Sequence, residues 1–274
     1  MCVCFTECER NKYMIESTKN NQVKTLTGLL KKSKTRKEEG VYVVEGRRMF
    51  EEAPENLVVK AYLSESFYER YKDADKVATK LSKVEYEILR DDVYEYASDT
   101  KTPQGVMCIM KQENHSPVQI LSKENPLIIF LENLQDPGNL GTIIRTAEGA
   151  GFTGVIMSEN TVDIYNPKTI RSTMGSIFRV PFCYVEDIQS TIHDAKSRGI
   201  KVYAAHLGGQ KSYDKIDCTK PTAYVIGNEG NGLTEETAKQ CDELVIIPMQ
   251  GQVESLNAAT AATVLMFEAA RQRR

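Results

Sequence analysis

From residue 126 onward, short runs of apolar residues alternate with longer segments in which apolar positions recur every three or four residues. The short runs are rich in β-branched residues and bounded by polar turns, which is typical of strands, and the longer periodicity is typical of helices. Apolar strands that alternate with helices indicate a parallel sheet with helices on both faces. We predict strands at 126–133, 154–157, 201–206, 223–227 and 243–248, and helices at 139–150, 166–178, 187–198, 233–241 and 255–271.

The first 111 residues follow a different pattern, with strands predicted at 41–46, 56–64 and 104–110 and one helix at 65–83. This pattern predicts a small α/β domain over 19–111. A polar stretch over 112–125 contains Pro117 and is typical of a linker. The chain is therefore divided into a flexible tail (1–18), the small domain (19–111), the linker (112–125) and a larger α/β domain (126–274).

The charge balance places any nucleic-acid surface in one region. The chain of 274 residues has 35 Lys and Arg against 38 Asp and Glu, a net charge of −3, so a global positive field is excluded. One segment, 19–37, carries basic residues without any acid, and Val23, Leu26 and Leu30 within it predict a short helix. A solvated charged face is the simpler explanation, and a phosphate-contacting arm is the functional one. The arm would use Lys24, Lys31, Lys32, Lys34 and Arg36.

No apolar stretch is long enough to span a membrane, and charged residues occupy the place of a signal-peptide core. We therefore expect a soluble, cytoplasmic protein. Seven scattered cysteines do not indicate a disulfide framework. Cys2, Cys4 and Cys8 form half of a conceivable metal site, but the C-x₂-C pair and the histidine partner are missing. Free thiols in a tail explain them better, and we expect no metal.

Three predicted strand-to-helix loops of the larger domain, at 132–147, 227–233 and 248–260, are rich in Gly, Asn and Pro. Ligands of parallel sheets bind at the carboxyl ends of the strands, where these loops lie. The loops match neither a Walker phosphate loop nor a dinucleotide-binding motif. Asn139 is predicted to cap the helix of the first loop, and Arg145 lies two turns further on. Arg145 is suited to anion binding, although an ion pair with Glu148 or Glu132 is the structural alternative.

In this order, the loops resemble the three motifs of the SpoU/TrmH family of RNA 2′-O-ribose methyltransferases, part of the SPOUT superfamily. The first motif contains Asp136-Pro137-Gly138-Asn139-Leu140-Gly141 and Arg145. The second is Ile226-Gly227-Asn228-Glu229-Gly230-Asn231-Gly232-Leu233. The third runs from Ile247-Pro248-Met249 through Glu254-Ser255-Leu256-Asn257 to Phe267-Glu268 and Arg271-Gln272. The segment 23–110 is similar to the small substrate-binding domain that precedes the catalytic domain in many members.

The resemblance implies a parallel-sheet SPOUT domain with a C-terminal trefoil knot that binds S-adenosylmethionine. It implies a homodimer built on the knotted domain, with RNA as the substrate. Ribosomal RNA of the large subunit is favoured over tRNA because a separate N-terminal domain is present. A tRNA methyltransferase remains the nearest alternative, and a non-catalytic RNA-binding or ribosome-assembly protein of the same fold is the second.

The resemblance also assigns residues to roles. The cofactor would be held by Gly227, Ile247, Met249 and Leu256, mainly through their backbone. The catalytic set would be Arg145, Asn139, Glu229, Ser255 and Asn257. Because a guanidinium stays protonated, Arg145 would stabilise the developing 2′-alkoxide and orient phosphate rather than act as a base. Glu229 has a rival role as a general base.

Overall fold

The computed structural model describes residues 14–274 and divides the chain into two compact units. One unit comprises residues up to Glu113 together with Tyr165–Arg171, and the other comprises Asn114–Ile164 and Ser172–Arg274. No helix within the described part of the chain is long and apolar enough to cross a membrane. Cys2, Cys4 and Cys8, for which free thiols and no metal were predicted, lie outside the described residues.

The N-terminal unit contains a mixed five-stranded sheet in the order β1-β4-β3-β5-β2. Strands β1 and β3 are parallel to β4, whereas β5 runs antiparallel to both β2 and β3. Valine, leucine and aromatic side chains from one face of the sheet and from the first helix form its core. The strands are β1 (Met14–Ile15), β2 (Val41–Glu45), β3 (Val58–Ser64), β4 (Tyr86–Leu89) and β5 (Val106–Lys111).

Helices connect these strands, and two of them were not predicted. They are α1 (Asn21–Lys31), α2 (Ser33–Glu39), α3 (Arg47–Glu52), α4 (Glu65–Tyr71), α5 (Asp75–Leu81) and α6 (Asp91–Ala97), with a 3₁₀ turn at Glu55–Leu57. Helices α3 and α6 are short, and strong amphipathic periodicity needs more turns than they have.

Two predictions for this region are wrong. The single helix over 65–83 is two helices, because the N–H of Ala74 donates to the carbonyl of Tyr71 and closes a turn between them. Helix α5 then begins at Asp75, because a negatively charged carboxylate is stabilised at the positive N-terminal end of a helix dipole. The flexible tail does not extend to residue 18, since Met14–Ile15 pairs with β4 and Ile15 is buried.

The C-terminal unit is built on a seven-stranded sheet in which every pairing is parallel, in the order β10-β12-β9-β11-β6-β7-β8. This confirms the predicted α/β class. All residues of the central strands β6 and β11 are buried, as expected for strands covered on both faces. The strands are β6 (Leu127–Leu131), β7 (Gly154–Ser158), β8 (Phe182–Val185), β9 (Lys201–Ala205), β10 (Lys211–Ser212), β11 (Thr222–Ile226) and β12 (Glu243–Ile246).

The remaining helices are α7 (Pro117–Leu121), α8 (Pro137–Gly149), α9 (Pro167–Thr173), α10 (Ile188–Ser197), α11 (Glu235–Gln240) and α12 (Ala258–Gln272), with 3₁₀ turns at Ser176–Phe178 and Tyr213–Lys215. The predicted helix over 166–178 ends at Thr173, because Met174 and Gly175 both have positive φ. Strand β8, which follows Pro181, was not predicted.

The predicted linker over 112–125 is partly helical. Ser116 and Gln119 form a capping box that starts α7, and Ile120 and Leu121 are buried in the core of the C-terminal unit. Ile120 packs so closely on the sheet that a Cβ at Gly154 would lie 2.4 Å from its Cγ2. The local Pro and polar composition concealed this helix, because the packing that stabilises it comes from residues distant in sequence.

Candidate functional site

The parallel topology places the loops after β6, β9, β11 and β12 at one edge of the C-terminal sheet. Three of these loops contain the candidate residues. They follow β6 at residue 132, β11 at 227 and β12 at 247. Since the carboxyl ends of parallel strands share an edge, residues more than 100 positions apart meet there.

The first loop enters α8 through Asp136, not Asn139. The Asp136 carboxylate accepts a hydrogen bond from the backbone N–H of Asn139 at 2.8 Å, and Pro137 occupies the first helical position. The predicted N-cap role of Asn139 is therefore wrong. Its side chain, relieved of that role, contacts the other two loops.

Glu229 of the second loop accepts three hydrogen bonds from the first loop. Its Oε1 accepts from the N–H of Asp136 at 2.9 Å and from Nδ2 of Asn139 at 3.0 Å, and its Oε2 accepts from the N–H of Gln135 at 3.0 Å. Partial burial opposes ionisation of Glu229, but the hydrogen bonds from Asn139, Gln135 and Asp136 outweigh it and hold its pKa below the ordinary value. The side chain is thus a carboxylate anion at neutral pH.

Asn139 connects Glu229 to the third loop. While its Nδ2 donates to Glu229, its Oδ1 accepts from Nδ2 of Asn257 at 3.0 Å. The Oδ1 of Asn257 in turn caps α12 by accepting from the N–H groups of Ala259 and Thr260. The hydrogen bonds between Glu229, Asn139 and Asn257 therefore join all three loops and fix the orientation of the Asn139 side-chain amide.

The second loop closes tightly on itself. The backbones of Asn228 and Gly232 exchange hydrogen bonds of 3.0 and 2.9 Å, and Gly232 has φ of +68°. A Cβ at Gly227 would lie 2.2 Å from the carbonyl carbon of Gly232. Only glycine fits at position 227, which lines the cavity beside the loop.

That cavity has a volume of about 350 Å³ and lies between the second and third loops. Four predicted cofactor residues line it, together with Ser255, Glu229 and His206. The Nδ1 of His206 accepts from the N–H of Gly208. Ala205, Ile226, Ala261 and Leu265 contribute an apolar side, so the cavity combines exposed backbone with an apolar wall. The predicted cofactor residues in the lining are Gly227, Ile247, Met249 and Leu256.

Arg145 lies on α8 with an exposed side chain and is absent from the cavity lining. Within residues 14–274 it has no hydrogen bond or ion pair. Both structural alternatives are contradicted: Glu148 pairs with Arg179, and Glu132 is engaged by threonines. The catalytic role of Arg145 stays a prediction.

Glu132 is a residue of the site that sequence reasoning did not assign. It is 3 % exposed and accepts hydrogen bonds from the N–H and Oγ1 of Thr234, both at 2.8 Å, and from Oγ1 of Thr237 at 2.5 Å. These contacts tie the end of β6 to the end of the second loop. The sequence signal that could have indicated this residue was an acidic side chain directly after an apolar strand.

The basic segment 19–37 is split between surface and core. Lys24, Lys31, Lys32 and Lys34 are exposed, but Arg36 is 3 % exposed. Its Nη1 donates to the carbonyl of Leu29 at 2.6 Å and of Leu30 at 3.3 Å, satisfying groups at the end of α1. The predicted phosphate contact of Arg36 is wrong.

Comparison with known protein families agrees with this site. Residues 126–267 match the model of the SpoU rRNA methylase family, and residues 20–108 match an MRM3-like substrate binding domain. The chain belongs to the SpoU rRNA methylase family. This confirms the resemblance drawn from the three loops.

Curated relatives extend over nearly the whole chain. A 23S rRNA (guanosine(2553)-2′-O)-methyltransferase, RlmP, of Bacillus subtilis is 33% identical over 92% of this chain and 97% of its own length. A 23S rRNA (uridine(2479)-2′-O)-methyltransferase of Streptomyces viridochromogenes is 32% identical over 67% of this chain and 66% of its own length. Both are SpoU-type relatives named for ribose methylation of 23S rRNA.

Solved structures show the same fold. An AdoMet-bound rRNA methyltransferase from Sinorhizobium meliloti has a TM-score of 0.84 at 30% identity, covering 94% of this chain and 97% of that chain. The SpoU methyltransferase AviRb from Streptomyces viridochromogenes, in complex with AdoMet, has a TM-score of 0.82 at 27% identity and covers 93% and 99%.

Proposed function

We propose that this SpoU-family chain transfers a methyl group from S-adenosylmethionine to the 2′-hydroxyl of a ribose in large-subunit ribosomal RNA. The observation that carries the proposal is the hydrogen-bonded chain Glu229–Asn139–Asn257 beside a backbone-lined cavity. The names of the relatives that match over most of the chain supply the rRNA substrate.

The cavity fits the cofactor. The tight turn at Gly227 brings loop backbone to the cavity where a Cβ would clash, and backbone groups there would bind an adenine or an amino-acid group. Ile247, Met249 and Leu256 supply apolar surface for the rest of the molecule. When bound, S-adenosylmethionine supplies an electrophilic methyl group on a sulfonium.

The chain's own residues have to orient the ribose and stabilise the charge that develops on its oxygen. Glu229 is better suited to positioning than to removing a proton. Both its oxygens already accept hydrogen bonds, and its pKa is lowered, so it is a weak base. Its role is to hold Asn139, and through it Asn257, in one orientation. Ser255 lines the cavity and is placed to contact the ribose or the cofactor.

Arg145 supplies the positive charge in this proposal. With no partner among residues 14–274, its guanidinium is available to an RNA phosphate and to the developing 2′-alkoxide. Its exposed position outside the cavity lining suits a contact that forms only when RNA is bound.

The exposed lysines of segment 19–37 contact RNA phosphates, which add affinity without selecting sequence. The cytoplasmic location remains a prediction that rests on the rRNA substrate. The trefoil knot likewise remains part of the proposal. Its support is the return of the chain from β12 through the third loop to α12, whose last turns bind back to 216–220 through Gln272 and Arg273.

We also propose a homodimer through the knotted domain. The small residues Ala259, Ala262 and Ala269 of α12 are buried within the chain's own unit, so they offer no surface to a partner. Support for the dimer therefore comes instead from Phe267, whose large apolar side chain is 44% exposed on the same helix. Sedimentation of a monomer at micromolar concentration would count against it.

Mapping of 2′-O-methyl groups in total RNA from wild-type and deletion strains tests the function. We expect one ribose of large-subunit rRNA to lose its methyl group and to regain it with the purified chain and S-adenosylmethionine. Loss of a tRNA methyl group would support the tRNA alternative. Cofactor binding without any methyl transfer would support a non-catalytic RNA-binding protein.

A further inference from the structure

A second cavity, of about 460 Å³, lies within the N-terminal unit. It is bounded by the starts of α3 and α6, by α4 and by the residues that precede β5. Its volume falls within the range of small-molecule sites, roughly 300–1,000 Å³. None of the residues assigned so far to methyl transfer or to the basic segment lines it.

Two arginines stack on one tyrosine at this cavity. The guanidinium carbon of Arg47 lies 4.4 Å from the ring centroid of Tyr71, and that of Arg70 lies 5.2 Å from it. Glu51 holds Arg47 by an ion pair of 2.6 Å, whereas Arg70 has no hydrogen bond or ion pair within the described chain. Both guanidinium groups therefore form cation–π contacts with the Tyr71 ring.

Another part of the cavity lining, at Gly105, is tightly packed. Gly105 has φ of +81°, and a Cβ there would lie 2.6 Å from Cβ of Phe67 and 2.8 Å from Oγ of Ser64. Its carbonyl accepts from the N–H of Ser64 at 2.8 Å. A larger residue at position 105 would therefore clash with Phe67 and Ser64, two other residues of the lining.

Polar groups without partners border this cavity. Glu95 is exposed and forms no hydrogen bond or ion pair among residues 14–274, whereas Asp91 accepts from the N–H and hydroxyl of Ser66. Tyr94, 1% exposed, lines the cavity, and its hydroxyl has no hydrogen-bond partner in the described structure, nor has the buried Oε2 of Glu45. Burial, reinforced by Glu45, raises the pKa of Tyr94, so the buried hydroxyl keeps its proton.

We propose that this cavity binds one unpaired nucleotide of the RNA substrate, with its base against the Arg70 guanidinium and its amino edge toward Glu95. The inference rests on the proposed function for the identity of the RNA. Proteins recognise unpaired RNA bases by stacking on aromatic rings or guanidinium planes and by hydrogen bonds to base edges. Because arginines and carboxylates share the cavity, it is suited to a base rather than to phosphate alone.

The carboxylate predicts a base preference. Adenine, cytosine and guanine carry an exocyclic amino group that donates to a carboxylate, as cytosine does to Glu or Asp. Uracil has carbonyl groups flanking its single N–H, and these would face the Glu95 carboxylate unfavourably. We therefore expect A- and C-containing strands to bind better than U-containing strands.

Fluorescence anisotropy with the full chain and labelled single-stranded A12, C12 and U12 RNA, without cofactor, tests the stacking. Arg70→Ala should weaken binding of A12 and C12 about tenfold, the scale of one lost base stack. Arg48→Ala is the matched control. It removes the same charge from an exposed residue that pairs with Glu52 outside the cavity, and it should change binding less than about twofold. Arg70→Lys keeps the charge without the plane and should stay weak.

One further variant tests the polar contact with the base edge. Glu95→Gln should narrow the preference for C12 over U12.

Equal losses in Arg48→Ala and Arg70→Ala, rescue by Arg70→Lys, or unchanged affinity in every cavity variant would each overturn the proposal. Single-turnover methyl transfer on rRNA from the deletion strain separates it from the proposed function. If the variants show the expected RNA-binding pattern but the chain transfers no methyl group, the nucleotide-binding cavity is supported and the proposed function is contradicted. If Arg70→Ala and the unmodified chain methylate rRNA with the same KM, the proposed function is supported and the nucleotide-binding cavity is contradicted.

Discussion

The cavity of the C-terminal unit and the cavity of the N-terminal unit are built from different parts of the chain. The first is lined by loop backbone and apolar side chains, and the polar residue Glu229 at its edge is already hydrogen-bonded to Asn139. The second is bordered by charged side chains, and Arg70 and Glu95 there have no hydrogen-bond or ion-pair partner within residues 14–274. The first arrangement is preorganised for one chemistry, whereas the second keeps its polar groups available to a ligand.

The sheets explain this difference. In the all-parallel C-terminal sheet the carboxyl ends of neighbouring strands share an edge, so glycine-rich loops converge and supply backbone groups together. In the mixed N-terminal sheet, β5 runs antiparallel to its neighbours β2 and β3, so its carboxyl end lies at the opposite edge from theirs. A site at such a sheet depends more on side chains carried by helices. Sites of the first kind leave motifs in the sequence, and sites of the second kind do not.

The largest expected effect is at Arg145, which tests whether the C-terminal site needs a free charge in addition to its preorganised groups. Arg145→Ala should lower single-turnover methyl transfer by about 10² or more, the scale of one lost oxyanion donor. Its melting temperature should stay the same, because Arg145 has no ion pair within the described residues. Cofactor affinity should change little. Near-normal transfer would remove the catalytic assignment.

Gly227→Ala tests the backbone lining of the same cavity. Its Cβ would meet the backbone of Gly232 at 2.2 Å, where no flexible side chain can yield. We expect the dissociation constant for S-adenosylmethionine, measured by calorimetry, to rise, and the free energy of unfolding to fall by roughly 1–3 kcal/mol, the scale of overpacking. Gly251→Ala is a control, because a Cβ at Gly251 has no atom within 4 Å. Equal effects of the two variants would contradict the cavity assignment.

Glu132→Gln tests how firmly the loops are joined. The Glu132 carboxylate accepts three hydrogen bonds while buried, and hydrogen bonds to charged groups are worth about 1.5–3 kcal/mol. We expect the free energy of unfolding to fall by about 2 kcal/mol. Glu148→Gln, which removes a surface ion pair with Arg179, should cost less than about 1 kcal/mol. Denaturant titration distinguishes them, and similar losses would show that Glu132 is not the tie between the loops.

The basic segment allows a comparison between exposed lysines and Arg36, which is buried and hydrogen-bonded. Replacing Lys31, Lys32 and Lys34 by Gln should reduce the slope of log affinity against log salt for single-stranded RNA by up to about 2. Stability should change little, since these side chains are exposed. Arg36→Met should instead lower stability, because its guanidinium satisfies the carbonyls of Leu29 and Leu30. If the salt slope of the lysine variant were unchanged, the segment would be an ordinary solvated surface and not an RNA-binding arm.

The smallest effect concerns the pH dependence of Glu229. Its pKa in the folded chain lies below the unfolded value of 4.5, so its stabilising contribution is complete above that value and is lost as pH falls through the folded pKa. The difference in unfolding free energy between the unmodified chain and Glu229→Gln should be constant from about pH 6 to 8 and should shrink below about pH 4. A difference that grew as the pH fell would contradict the lowered pKa.

The same difference between the two units decides how much the sequence revealed. The order and composition of the three loops were sufficient to indicate the family, the parallel sheet and the residues Asn139, Glu229 and Asn257. The hydrogen bonds among those residues were not predictable, and Asp136 rather than Asn139 caps α8. Short elements such as α3, α6 and β8 were missed because a few residues carry little periodicity.

By itself, the sequence determined what depends on local pattern and on glycine-bearing loops: the α/β class, five of the seven strands of the C-terminal sheet and the positions that meet at its edge. Only the tertiary structure decided which charges are free. Arg36 and Lys32 stand four residues apart in one basic segment, yet one is buried against helix carbonyls and the other is exposed. Burial and pairing depend on residues distant in sequence, so the functional meaning of a charge is set when the chain packs.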